Sequence, residues 1–247
     1  MVKIQVIFMG KLTEIKKRIF AVDILRLLKD KYTYKKLSKL VNLSPTVLSR
    51  YINGHILPNS EKSERIIEMF KEKYLLEILR GKISEKEGAY NLTQVHYDVN
   101  LQQLIAKLIF HEFDLVKVDK VLTAAADGIP LAVQVGNEFN VKIVIAKKGK
   151  EVGVEKFLEE KAIFSPVLFK TFYIPKGSIR TGENVLIVDD IMRTGATIEA
   201  LVKLVEKSRA RVVGIFTIFS TQDSIKKLKR KLRLRCKVKS LINLPLS

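Results

Sequence analysis

The run Val185-Leu186-Ile187-Val188-Asp189-Asp190-Ile191-Met192-Arg193-Thr194-Gly195-Ala196-Thr197 narrows the choice of fold more than any other part of the chain. Four large aliphatic residues in succession suit a strand buried on both faces, the habit of parallel sheets. Two adjacent carboxylates then end the strand, at the carboxyl edge where open α/β sheets gather their ligands. From Thr194 to Thr197 the chain is small and hydroxylated, and it opens a helix near Ile198 whose first N–H groups lack partners within the helix. Carboxylates suit the hydroxyls of a ribose, and a helix-opening loop of N–H and hydroxyl donors suits a phosphate ester. The expectation is a sugar-phosphate site; an ordinary buried strand followed by a tight turn is the competing reading.

The surrounding pattern extends this into a fold. Helices are expected near Leu101 to Phe113, Ile129 to Glu138 and Thr197 to Ser208, with strands near Lys120 to Ala124, Lys142 to Ala146, Val185 to Asp189 and Val212 to Phe219. Such alternation predicts an α/β architecture, a mostly parallel sheet flanked by helices. The strand ending at Thr123 runs into Ala124-Ala125-Ala126-Asp127-Gly128, a loop without bulk that lets backbone N–H groups approach a diphosphate. Between Gly149 and Tyr173, Glu155 to Lys161 reads as a short amphipathic helix.

The motif at 185–197 resembles the phosphoribosyl-pyrophosphate (PRPP) motif of the type I phosphoribosyltransferase family. That resemblance implies the type I phosphoribosyltransferase fold, with Asp189 and Asp190 on the ribose hydroxyls and Arg193, Thr194, Gly195, Ala196 and Thr197 around the 5-phosphate. It also implies a pyrophosphate loop of Ala125, Ala126, Asp127 and Gly128, with Lys147 and Lys148 ending the next strand. Mg2+ would enter only with PRPP, through Asp189 or Asp190. The stretch from Gly149 to Tyr173 matches the position of the family's mobile loop, and Val238 to Asn243 the position of the hood over a nucleobase. Arg193 stands where purine-salvage members often have an Asp; a guanidinium cannot act as a base, which weakens the catalytic reading without closing it. A basic residue there is similar to the purine-operon repressors and archaeal phosphoribosyltransferase-like regulators. No catalytic residue is assigned.

A second pattern lies near the amino terminus. After a short strand-like start, Ile15, Ile19, Val22, Leu25 and Leu28 follow a helical period across Leu12 to Lys31. Thr33 caps a helix to about Val41, Asn42-Leu43 turns, and Ser44-Pro45 opens another helix to Ile52 that Asn53-Gly54 stops. Leu37, Val41, Leu48 and Ile52 are expected inside. Two short helices joined by a tight turn form a helix-turn-helix, and Leu48 to Pro58 resembles its phage-repressor type. The second helix would enter the major groove, with Thr46, Ser49 and Arg50 toward bases or phosphates and Lys35, Lys36 and Lys39 on the backbone. A helical bundle that touches no nucleic acid is the alternative. The expected organisation is an all-α DNA-binding domain over 1–79, with helix Ser60 to Leu79 closing it, a linker over 80–90, and a ligand-binding domain over 91–247.

Charge follows the same division. Residues 1–75 hold 16 Lys/Arg against 7 Asp/Glu, residues 76–221 hold 20 against 18, and the last 26 residues hold 9 against 1. A near-neutral core between basic ends fits polyanion contact outside the small-molecule site, although a lysine-rich surface for solubility gives the same excess. The basic tail from Ile225 to Arg235 reads as a solvated helix face or as a DNA contact. With Cys236 the only cysteine, no intrachain disulfide can form, which fits a reducing cytoplasm. Neither a signal peptide nor a membrane-spanning run is evident, and His55, His96 and His111 show no metal-ligand spacing. The combined expectation is a cytoplasmic, dimeric transcriptional regulator of nucleotide metabolism, purine metabolism foremost, with operator DNA and PRPP or a purine nucleotide as partners. Two alternatives stand beside it: an active purine or orotate phosphoribosyltransferase with an autoregulatory DNA-binding domain, and a regulator that keeps a dead enzyme as a dimerisation scaffold.

Overall fold

The computed structural model describes residues 2–86, 89–221 and 223–245, with the side chains of 2–9, 86 and 89 outside that description. Two compact units divide the chain, 1–81 and 82–247.

In the first unit, α1 (Val2–Lys31) is a single helix, so the start read as strand-like is helical from Val2; Met1 lies outside the described residues. Within α1 the buried seam is Ala21, Val22, Ile24, Leu25 and Leu28, whereas Ile15 and Ile19 stay exposed. The Thr33 side chain accepts from Lys36 N at the start of α2 (Tyr34–Val41), and the Ser44 side chain accepts from Val47 N at the start of α3 (Pro45–Ile52). Each cap satisfies an N–H that the first helical turn leaves orphaned. Asn42 turns the chain at φ 52°, and Ser38 Oγ donates to Leu43 O at 2.6 Å across the turn. Leu37 and Leu48 are fully buried as expected; Val41 and Ile52 are only half-buried, and Tyr51 takes the inner place at the end of α3. Of the two residues that stop α3, Asn53 stays right-handed at φ −81° and Gly54 alone turns left-handed at φ 76°. Arg26 Nε donates to Ile52 O at 2.9 Å, satisfying a terminal carbonyl of α3. The closing helix runs as α4 (Ser60–Met69), a π-helical segment Phe70–Leu75, and α5 (Leu76–Arg80).

The stretch read as a linker carries structure of its own: β1 (Ser84–Lys86) pairs antiparallel with β2 (Ala89–Asn91), while Glu87 and Gly88 lie outside the described residues. Next come α6 (Thr93–His96) and α7 (Val99–Glu112), the latter capped by the Asp98 side chain on Leu101 N. β3 (Lys120–Ala124), α8 (Ile129–Phe139) and β4 (Lys142–Ala146) follow at the expected places. Where a helix was expected over 155–161, the chain forms a β-hairpin of β5 (Phe157–Ser165) and β6 (Leu168–Pro175). Its residues come in short blocks, Lys/Glu and then apolar, that fit neither period cleanly, and pairing with Leu168–Pro175 decides the outcome. β7 (Asn184–Met192), α9 (Ala196–Lys207), β8 (Arg211–Thr221), α10 (Ser224–Leu232) and β9 (Lys237–Leu244) complete the chain.

Five strands form an all-parallel sheet in the order β4-β3-β7-β8-β9. β7 is central, and its Val185 to Val188 are wholly buried. The chain winds outward from β3 to β4 on one side and from β7 through β8 to β9 on the other, so the order reverses between β3 and β7. Pairing of those two strands stops at Leu122↔Ile187, and their ends diverge into a crevice. Ligands of open α/β sheets bind at such a switch point.

Candidate functional site

Both loops singled out in the sequence open into that crevice, which widens to a cavity of about 310 Å³. Ala124 to Gly128 form one wall, Asp189 to Ile198 the floor and second wall, and Lys148, Phe164, Lys170 and Phe172 close the remaining side. Asp189, Asp190, Arg193 to Thr197, Ala125 to Gly128 and Lys148 are thus brought together around one space. Lys147 is not: its ammonium pairs with Glu151, and its backbone bonds both ways with Tyr173. Phe164, Lys170 and Phe172 join them from the β5–β6 hairpin; they lie in the stretch matched to the mobile loop, where the sequence singles out no individual residue.

The acidic pair sits inside β7, which continues to Met192, so the sheet itself holds both carboxylates in place. They are 5% and 8% exposed. Burial first, and then the charge of Asp190, push the Asp189 carboxyl well above the ordinary carboxylate range. Hydroxyls flank this carboxylate on the neighbouring strands: Thr217 is paired with Asp189 across β7 and β8, and Thr123 lies on β3. Both hydroxyl oxygens are buried without a hydrogen-bond partner among the described residues. Gly128 makes the approach of the two walls possible. A Cβ there would lie 2.5 Å from Asp189 Oδ1 and closer still to Thr123 Oγ1.

After Met192 the chain turns through Arg193, Thr194 and Gly195, with Gly195 at φ 84°, a left-handed geometry that favours glycine. α9 begins at Ala196, one residue earlier than expected, and no side chain caps it. Beyond Ala196, the first-turn N–H groups and the Thr194 and Thr197 hydroxyls offer donors for an anion, as helix amino termini provide. Thr194 Oγ1 already accepts from Ala196 N at 3.3 Å, which fixes the turn.

Sequence reasoning missed His96. At the end of α6, His96 Nε2 lies 3.1 Å from Asp190 Oδ2, and the carboxylate raises the imidazole pKa against the opposing effect of burial. The short helix is held by Gln102 Nε2, which donates to Val95 O at 2.8 Å. No metal spacing or motif marks His96, and only the fold brings it to Asp190 from 94 positions away in sequence.

In the first unit, Lys35, Lys36, Lys39, Thr46 and Arg50 are exposed on α2 and α3. Ser49 is half-buried and accepts from Asn53 Nδ2 at 3.2 Å; Lys36 rests over the Tyr32 ring at 4.4 Å. Val238 to Asn243, expected in a hood, lie within β9 at the edge of the central sheet, anchored by Lys237 and Lys239 on the Glu112 carboxylate, whose side chain is 6% exposed.

A parallel sheet with an acidic pair at its switch point and a helix amino terminus beside it belongs to the open α/β class, which gathers its ligands at that crevice. The chain belongs to the phosphoribosyl transferase domain family, which matches residues 92–244. A helix-turn-helix family matches residues 24–77. Among curated proteins, the chain is similar to the purine biosynthesis transcriptional repressor PurR of Bacillus subtilis (strain 168), with 33% identity over 129 residues, covering 52% of this chain and 45% of that one. It is also similar to xanthine phosphoribosyltransferase 1 of Clostridium perfringens (strain 13 / Type A), with 32% identity over 158 residues, covering 60% of this chain and 80% of the enzyme. The chain thus spans about half the length of the repressor it matches. In fold it resembles the crystal structure of adenine phosphoribosyltransferase from Thermoanaerobacter pseudethanolicus, with a TM-score of 0.60 at 24% identity, covering 68% of this chain and 99% of that one. No helix among the described residues is long and apolar enough to cross a membrane.

Proposed function

We propose that this protein is a DNA-binding transcriptional regulator of purine nucleotide metabolism whose phosphoribosyltransferase-like unit senses PRPP or a purine nucleotide. The observation that carries this reading is the union in one chain of a capped helix-turn-helix with exposed Thr46 and Arg50 and a cavity that gathers the acidic pair and the phosphate-type loop. In this reading Asp189 and Asp190 accept hydrogen bonds from ribose hydroxyls, and the Arg193 to Thr197 loop donates to the 5-phosphate. Ala125 to Gly128 and Lys148 take the pyrophosphate end. The donor set suits Mg2+ arriving with a diphosphate, since two buried carboxylates whose charges repel are relieved by a cation. When bound, Mg2+ would supply positive charge that neutralises the diphosphate beside Asp189 or Asp190.

Two protomers reading paired half-sites would make the regulator a homodimer. A ligand changes the affinity for DNA only through different affinities for the two states of the protein. Calorimetry against PRPP with Mg2+, GMP and AMP tests the ligand. Titration of operator DNA with and without the bound ligand tests the coupling, and an unchanged operator affinity would remove the sensor role.

Coverage of most of a xanthine phosphoribosyltransferase supports a second reading, an active transferase with DNA-binding autoregulation. Arg193 on the cavity wall argues against it, because a guanidinium has no proton-accepting form at ordinary pH. Sustained nucleotide formation from PRPP and xanthine, guanine, adenine or orotate would establish the enzyme and displace the sensor-only account.

A further inference from the structure

Outside the cavity, the second unit carries one surface that its ligand site leaves unexplained. On α10, Ser224 and Leu228 are buried and Ile225 and Leu232 half-buried along one face, while Lys226, Lys227, Lys229, Arg230 and Lys231 stand exposed on the other. Few acids answer them. Asp223 pairs with Lys226 at 3.4 Å, and Glu199 pairs with Lys231 at 2.7 Å. Lys227, Lys229, Arg230, Arg233 and Arg235 are exposed and have no acidic partner among the described residues. Cations crowded together in this way repel one another, and a polyanion relieves the repulsion.

The packing of α10 selects among polyanions. A basic amphipathic helix that lies on a bilayer must offer an apolar face. Here that face is already used: Leu228 belongs to the core, with Ile225 and Leu232 packed against it. What remains outside is charge alone, the chemistry that follows a sugar-phosphate backbone.

We propose that the outer face of α10 and the turn after it, through Lys227, Lys229, Arg230, Arg233 and Arg235, is a second contact for duplex DNA that grips phosphates without reading bases. The inference rests on the DNA-binding reading above and adds a partner surface to the unit that holds the ligand cavity. Duplex DNA is the occupant because the same chain carries a helix-turn-helix. The surface is also joined to the phosphate-type loop. Ser224 Oγ donates to Thr221 O at 2.8 Å, Thr221 Oγ1 donates to Arg193 O at 2.5 Å, and Leu228 lies against Gly195. A ligand that reshapes residues 193–197 therefore acts at the base of the basic face, which gives it a physical route to DNA affinity.

The test uses the full chain and fluorescence anisotropy on a random-sequence DNA duplex across a range of salt. Three variants are compared with the wild type: all five residues changed to Gln, the same five with Lys and Arg exchanged, and Lys35→Gln with Arg50→Gln in the helix-turn-helix. If about three phosphate contacts are lost, the Gln variant binds on the order of 100-fold more weakly at ~0.15 M salt, and the slope of log affinity against log salt becomes shallower by about three. The exchanged variant keeps affinity and slope, which separates loss of charge from loss of fold. Unchanged affinity and slope in the Gln variant, while the helix-turn-helix variant weakens, overturn this inference and leave the DNA-binding reading standing. Tighter binding to single-stranded RNA than to duplex overturns the choice of occupant. A wild-type chain without affinity for any duplex overturns both.

Discussion

Gly128 is the least replaceable residue of the cavity wall, because Asp189 and Thr123 already fill the space a side chain would take. Gly128→Ala is expected to cost about 1–3 kcal/mol of stability through overpacking, measured by chemical denaturation. It should also weaken PRPP binding at least tenfold in calorimetry, since the wall must retreat from Asp189; unchanged affinity would place the ligand elsewhere. A second residue-scale expectation concerns pH. The His96 pKa is raised above 6.5 by Asp190, so its contribution to stability is full below 6.5 and is lost as pH rises through the folded value. The Asp189 pKa is raised far above 3.8, so the protonated carboxyl suits the fold and stability again falls as pH climbs from 3.8 toward the folded value. Both effects have the same sign. The second unit should melt at a higher temperature in mildly acid solution than at pH 8, and His96→Gln should flatten the part of that dependence above pH 6.5. A His96→Gln profile parallel to the wild type would show that the pair contributes nothing. Asp189 announced itself in sequence through an apolar run and a neighbouring carboxylate. His96 had no such context, and a lone histidine before a helix start carries no trace of the carboxylate it will meet.

At the scale of elements, most of the α/β succession from Leu101 to Phe219 was legible because its parallel strands are short, mostly apolar runs and its helices are longer amphipathic stretches. The hairpin of β5 and β6 was not. Residues 155–161 read equally as about two turns of helix, and the pairing that decides between helix and strand lies in another segment. Phe164, Lys170 and Phe172 reach the cavity only through that pairing, which no local pattern announces. Phe172 is 2% exposed and faces both core and cavity, so Phe172→Ala is expected to cost about 3–5 kcal/mol and to widen the cavity. Denaturant titration measures the first effect, and a lower PRPP affinity measures the second. In the first unit, Ser44→Ala removes the cap of α3 and should cost about 1 kcal/mol. The resulting fraying would start next to Thr46, so DNA affinity should fall more than a surface change predicts; equal affinity would mean that α3 keeps its place without the cap.

For the whole molecule, two compact units in one chain predict two transitions in scanning calorimetry. Ligands that bind only folded protein raise the transition of the unit they bind. PRPP with Mg2+ should therefore lift one transition and leave the other in place, whereas duplex DNA should lift both if α10 shares the grip. A single transition insensitive to either partner would contradict both the sensor reading and the division of labour. The hairpin gives the cavity one more property. Glu160 on β5 pairs with Lys207 at 2.6 Å and Lys203 at 3.7 Å, and Lys207 Nζ also donates to Glu159 O, so the covering strands are tied to α9 before any ligand arrives. Strands tied down in this way have little order left to acquire when a ligand enters, so less of the binding free energy goes into ordering that side of the cavity. The hairpin should then change little between the empty and the loaded protein: amide exchange along β5 and β6 is expected to be similar with and without PRPP, and strong protection appearing only with PRPP would show that these strands order on binding.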